Sequence, residues 1–357
     1  MTTKKSLIFN ITALLLIAIL FISTSSLSEA NSISQNPFFF LKKQAWLTLI
    51  SLAVFFLATK IKLKHLYHYS PTLFLLSTIS LLLVLHPQLS HEILGAKRWL
   101  KLGYFSFQPS EIFKLIAILY FARLFSQDKN KTIASLLFSA TIPLSLILLE
   151  PNLSTVILLS TIILSLYYLS GANIIHLFLL CLFGGLITAL LIFSSPYRLA
   201  RLNTLLHPQQ NLKTQSYHSQ QNLIAIASGG LFGKGIGNSQ QKYSFLPQIS
   251  TDSILAIIGE EVGFMGLAII LFIYLKLLAS IFDISKHSST PFHRLLSAGI
   301  ALWIGLQTII NISAISAIIP LTGIPLPLVS YGGSSLISTM FGLGLVYNIH
   351  NQHGQKK

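Results

Sequence analysis

The chain holds so few acids that each can be asked what it does. Nine Asp and Glu residues occur among 357: Glu29, Glu92, Glu111, Asp128, Glu150, Asp252, Glu260, Glu261 and Asp283. A carboxylate inside or beside an apolar run is costly, so each is a candidate for chemistry. Asp252 is the sharpest case. It closes a long polar segment, 195–253, whose other charges are Arg198, Arg201, Lys213, Lys234 and Lys242, and it stands directly before the apolar run Ile254–Ile258. Five cations around one acid suit an anionic ligand such as a phosphate-bearing lipid, or the retention of phospholipid headgroups. A partly desolvated carboxylate among them can act as a general base toward a hydroxyl. Thr251 or Asp252 can equally cap the helix that follows.

Other segments carry weaker signals. Glu111 and Lys114, in QPSEIFKL, are three residues apart and so share a helix face. They read as an intramembrane ion pair, or as the lining of a cavity in which Lys114 reaches an anionic substrate. Glu260 and Glu261, in GEEVGFMG, sit about two turns into the next apolar helix. Consecutive residues point roughly 100° apart, so at least one faces the interior, bonded to a polar partner or serving as a proton or cation relay. The run GGLFGKGIG at 229–237 fails the nucleotide-binding patterns: Ser228 and Gly235 break the P-loop, and Gln240 breaks the dinucleotide fingerprint. Close backbone packing or an amide-lined turn is expected there, and no nucleotide. Pro320, Pro325 and Pro327 force an extended backbone at membrane depth, tolerated only when buried in protein or lining a cavity. The histidines form no zinc motif, and the lone Cys181 cannot form an internal disulfide.

These residues must be positioned by membrane helices. Hydrophobic residues make up 53% of the chain and charged ones 9%, against roughly 25% charged in an average soluble domain. An ordinary soluble enzyme and a disordered chain are both excluded. The fold class is therefore an all-α polytopic membrane protein. About ten spans are expected, near 7–27, 38–59, 70–86, 110–126, 133–149, 153–170, 173–194, 254–278, 294–319 and 331–349. The first is read as a retained anchor rather than a cleaved signal. The net charge of +15 flanks apolar runs, which points to lipid and topology rather than nucleic acid. With both termini cytoplasmic, the inner side takes Lys4, Lys5, Lys60, Lys62, Lys64, Arg123, Lys129, Lys131, Lys276, Lys286, Arg294, Lys356 and Lys357. Short outer loops take only Lys42, Lys43, Lys97, Arg98 and Lys101. The segments 87–109 and 195–253 then face outward. The latter is expected to be an ordered loop between spans 7 and 8 with amphipathic pieces on the membrane surface.

Taken together, these segments resemble the SEDS family (shape, elongation, division and sporulation), of which RodA and FtsW are familiar members. The resemblance rests on GAKRWLKLG and FQPSEIFKL within 95–115, EPNLST at 150–155, the block 228–266 beginning SGGLFGKGIGNSQQKYSFLPQISTDS, and TGIPLPLVSYGGSS at 322–335. It treats residues 1–357 as a single transmembrane domain. It implies a peptidoglycan glycosyltransferase that polymerises lipid II into nascent glycan on the outer face of the bacterial cytoplasmic (inner) membrane. The implied partner is a class B penicillin-binding protein acting as transpeptidase. Thr322, Gly323 and Ile324 favour the RodA-like elongation branch, and Leu153 and Phe264 lean the same way. The family's key carboxylate falls on Asp252, the expected catalytic base. Lys97, Arg98, Arg201 and Lys234 are the expected phosphate contacts, with Glu111 and Lys114 shaping the cavity. A divalent cation, Mg or Mn, is expected at the pyrophosphate. The chain departs from the family pattern at Gln248, Ser250 and Ser253 around the base, and at Asn152 and Ser154. A lipid II flippase uses the same basic cavity without a positioned base, and a non-catalytic scaffold for the transpeptidase needs neither.

Overall fold

The computed structural model describes residues 3–25, 38–93, 96–102, 105–127, 132–206, 215–241 and 251–354. Twelve helices are present among them. They are α1 (Thr3–Ser25), α2 (Phe39–Lys60), α3 (Leu63–Val84), α4 (Pro109–Phe125), α5 (Ile133–Leu149), α6 (Leu153–Leu169), α7 (Ile174–Phe193), α8 (Pro196–Leu206), α9 (Gln215–Gly229), α10 (Ile254–Lys286), α11 (Pro291–Ile315) and α12 (Gly333–Gly354). Each of the ten expected spans falls on one of these helices. Six, α1, α2, α3, α7, α10 and α11, are long and apolar enough to cross a membrane, while α5 and α6 are apolar but shorter. The chain is a multi-pass membrane protein. Two boundaries differ from expectation. The polar stretch LKHLYHYS is already helical, because Leu63 and Ser70 turn inward, and α10 continues past its apolar run to Lys286.

The segment before α4 is not helical. Strands β1 (Ser90–Ile93), β2 (Ala96–Leu102) and β3 (Phe105–Phe107) form an antiparallel sheet, with Ser90 opposite Leu100 and Leu100 opposite Phe107. This sheet was not foreseen. Alternation in AKRWLKL is short and mixed with charge, which hides a strand signal of period two.

α11 is the centre of the bundle and packs against α4, α6, α10 and α12. Trp303, Ile300 and Ile304 are fully or almost fully buried along it. α12 packs along α2. By contrast, α7 is apolar on every face and has no buried residue, as expected of a helix whose surroundings are lipid. Within 195–253, α8 is strongly amphipathic and α9 is not, while 207–214 and 242–250 lie outside the described residues.

α10 is broken at Gly263, whose backbone (φ +68°, ψ −170°) no β-carbon would tolerate here: an added one would lie 2.4 Å from the amide nitrogen of Gly233. The glycine-rich run fills the break. Phe264 and Met265 donate their amides to the Gly230 and Leu231 carbonyls, while Lys234 and Gly235 donate theirs to Glu260 and Glu261. The glycines thus serve close backbone packing, and Glu260 locks it. Its carboxylate accepts bonds from Lys234 Nζ (2.7 Å), Ser239 Oγ (2.5 Å) and the amides of Gln240 and Gln241.

Candidate active site

The proline-bearing connection between α11 and α12 has no regular partner for its backbone, so side chains must supply one. Gln307 and Asn311 lie one turn apart on the buried face of α11. Gln307 Nε2 donates to the Pro325 carbonyl at 2.8 Å, and Asn311 Nδ2 to that of Ile324 at 2.8 Å. Tyr274 on α10 donates to the Pro327 carbonyl, and the Leu326 amide donates to Ser330 Oγ. Sequence reasoning missed Gln307, Asn311 and Tyr274. The available signal was two amides spaced i, i+4 in an otherwise apolar helix.

The same anchors reach two groups of charges. On one side of the segment, Lys114 Nζ is 2.8 Å from Glu111 Oε1 and 2.9 Å from Gln307 Oε1. The ammonium also lies 5.4 Å from the Trp303 ring centre, and Trp303 Nε1 shares the Gln307 oxygen. The expected pair is therefore formed and built into the support of the proline segment. On the other side, Asn311 also donates to the Asp252 carbonyl at 3.3 Å. Asp252 stands one residue before the N-cap of α10. That N-cap is Ser253, which makes no side-chain capping bond.

Asp252 is partly exposed by area, yet its carboxyl group is closely surrounded. Desolvation raises its pKa to about 6, and the charges of Arg98 and Arg201 act in the opposite sense. Its Oδ2 faces Gly323, whose φ of +68° keeps that position open to glycine.

The two arginines come from distant elements. Arg98, on β2, donates from Nε to the Glu150 carbonyl at 3.0 Å and from Nη2 to that of Pro151 at 2.5 Å. Burial lowers its pKa, and the neighbouring Arg201 charge adds to that effect. Arg201, on α8, donates to the Leu321 carbonyl at 2.9 Å and to the Tyr197 hydroxyl at 2.5 Å. Its guanidinium lies 4.7 Å from the Tyr197 ring centre. Its Nε is buried and has no protein acceptor. A cavity of about 230 Å³ opens beside it, lined by polar Thr204 and Gln220 and apolar Leu205, Leu223 and Leu321. Two guanidiniums with a spare donor can take a phosphate group, and one basic carboxylate beside them can take a proton.

Not every expected contact joins this group. Lys234 is held by Glu260. The backbone of Lys97 is in β2, but its side chain lies outside the described residues. Glu150, in the turn after α5, is an acid whose sequence context points to no role. It is fully buried, and neither carboxylate oxygen has a hydrogen-bond partner. Burial raises its pKa to about 8, against the pull of Arg98. Asn152 caps α6 by accepting the Thr155 amide at 3.3 Å, so this departure from the family pattern keeps its capping function.

The family model FTSW_RODA_SPOVE, described as "Cell cycle protein", matches residues 5–355. A protein of Wigglesworthia glossinidia brevipalpis named "Probable peptidoglycan glycosyltransferase FtsW" is 34% identical over 352 residues, covering 96% of this chain and 92% of its own. Among solved structures, a chain from "Structural coordination of polymerization and crosslinking by a peptidoglycan synthase complex" matches with a TM-score of 0.81 at 26% identity, over 98% of both chains. The Thermus thermophilus rod shape determining protein RodA matches with a TM-score of 0.73 at 27% identity, covering 97% of this chain and 96% of that one.

Proposed function

Because the chain belongs to the cell cycle protein family of FtsW, RodA and SpoVE, we propose that it is a peptidoglycan glycosyltransferase that polymerises lipid II. The observation that carries the mechanism is Asp252: a carboxyl group with pKa near 6, set beside Arg98 and Arg201. A base works best with a pKa close to the operating pH, and at neutral pH this group is ionised yet more basic than an ordinary aspartate.

The reaction is one inverting displacement. The 4-hydroxyl of an acceptor GlcNAc attacks the anomeric carbon of a donor MurNAc and forms the β C–O bond. The α C–O bond to the lipid pyrophosphate breaks, and its electron pair leaves with the phosphate. Asp252 receives the hydroxyl proton. Arg98 and Arg201 stabilise the negative charge on the departing pyrophosphate. Both are held by carbonyls and, for Arg201, by Tyr197, so little reorganisation is needed. The divalent cation expected at the pyrophosphate finds no protein-built cage: no three His, Cys, Asp or Glu side chains cluster among the described residues. The positive charges acting on Asp252 are those of Arg98 and Arg201.

This reading puts both termini in the cytoplasm of a bacterium, with α8, α9 and Asp252 at the outer face of the inner membrane. The match to a chain of a peptidoglycan synthase complex supports a class B penicillin-binding protein as partner. Thr322, Gly323 and Ile324 favour elongation, whereas the FtsW name of the Wigglesworthia relative favours division. Depletion separates them: rounded cells follow loss of elongation, and filaments follow loss of division.

The test is to incubate the purified protein with lipid II, alone and with its transpeptidase partner. Glycan polymer is the expected product. Lipid II crossing vesicle membranes without polymer would support the flippase reading, and neither activity would support the scaffold.

A further inference from the structure

Ser253 follows Asp252 directly and is fully buried. It occupies the N-cap position of α10, where a serine usually accepts a backbone amide, yet it makes no such bond. Its hydroxyl is instead 2.7 Å from Nε2 of His218 on α9. α9 packs along α10, with Asn222 and Ala225 fully buried, so His218 reaches Ser253 from a firmly seated helix. The backbone at Asp252 is therefore gripped twice. α11 holds its carbonyl through Asn311, and α9 holds the next residue through His218.

Burial lowers the His218 pKa, so the ring is neutral at physiological pH. A neutral imidazole places no positive charge near the carboxylate. Its contribution is geometric: one ring nitrogen gives a hydrogen bond to the Ser253 hydroxyl or takes one from it. An apolar side chain at 253 would offer His218 nothing to bond.

We propose that His218 is a positioning residue for Asp252, fixing through Ser253 the backbone from which the carboxylate projects. The proposal rests on Asp252 being the base. Proton abstraction needs the carboxylate about 2.6–3.2 Å from the hydroxyl. A misplacement of about 1 Å can cost roughly 10²-fold in rate.

The experiment measures kcat and KM for lipid II with purified full-length protein. His218→Ala and Ser253→Ala should each lower kcat by about ten- to a hundredfold with KM unchanged. The double variant should lose no more than either single one, since one bond is removed in each case. His218→Gln, which can still bond the hydroxyl, should recover most of the rate. Ser253→Ala keeps the test sound if His218→Ala folds poorly, because it removes a hydroxyl that caps nothing. Wild-type kcat in Ser253→Ala would overturn the proposal. So would losses that multiply in the double variant, or a His218→Gln as slow as His218→Ala. Asp252→Asn is assayed in parallel. If it still polymerises, the base reading has failed and the proposal with it. If it is inactive while Ser253→Ala is normal, only the positioning role has failed.

Discussion

Oδ2 of Asp252 faces Gly323 so closely that a β-carbon added there would stand 3.4 Å from it. The proposed base and the proline-bearing segment are thus one structural unit, although 71 residues separate them (323 minus 252). Gly323→Ala should cost about 1–2 kcal/mol of backbone strain, because φ is +68°. It should also place a methyl beside the carboxylate and slow polymerisation, with the protein still folded. Thermal unfolding in detergent alongside an activity assay checks this, and an unchanged rate would remove Gly323 from the site.

Glu111 and Lys114 should prove coupled. Breaking a buried pair by removing one partner typically costs roughly 3–5 kcal/mol. Lys114→Met should be the more damaging change, since it leaves Glu111 charged without its cation and releases Gln307. Glu111→Gln leaves Lys114 bonded to Gln307 and facing Trp303. The double variant should lose less than the sum of the two. Unfolding midpoints for all three decide it, and strict additivity would mean no coupling.

Much of this was legible from the residue pattern. Apolar run lengths located the six helices long enough to cross a membrane, because at 1.5 Å per residue roughly 30 Å of hydrocarbon demands about 20 apolar residues in a row. The Glu111–Lys114 pair followed from spacing alone. Asp252 stood out by scarcity of acids and by its place at an apolar boundary. What could not be read were contacts between distant elements. Nothing local links Arg98 to the Glu150 turn, Lys234 to Glu260, or Gln307 to Pro325. The short strands around Arg98 were equally hidden, since their alternation is brief and charged. His218 was one histidine among eleven until α9 was laid against α10.

Glu150 should carry a proton at neutral pH. Its ordinary pKa of 4.5 applies in the unfolded chain, and the folded value is about 8. Folding therefore takes up a proton between these values, so stability falls as pH rises through that window and levels off above it. Glu150→Gln copies the neutral form. It should remain active, be at least as stable at pH 7, and show a flatter dependence of unfolding midpoint on pH from about 5 to 8. An unchanged slope would mean that Glu150 is already ionised in the native protein.

Polymerisation should show an acid limb near pH 6, because only the ionised Asp252 can accept the proton. Below that point the rate should drop about tenfold per pH unit. Arg98 lowers the Asp252 pKa, so Arg98→Gln should move the limb upward as well as weaken phosphate binding. A limb that stays in place would mean that Arg98 does not act on the base.

The central claim is that Asp252 is the catalytic base, and Asp252→Asn tests it most directly. Asparagine keeps the size and hydrogen-bonding reach of the side chain, and the Asn311 bond is to the backbone carbonyl, which the substitution spares. The variant should fold, bind lipid II as the unmodified protein does, and polymerise it about 10²–10⁴-fold more slowly. Glycan synthesis at the unmodified rate by folded Asp252→Asn protein would contradict the account.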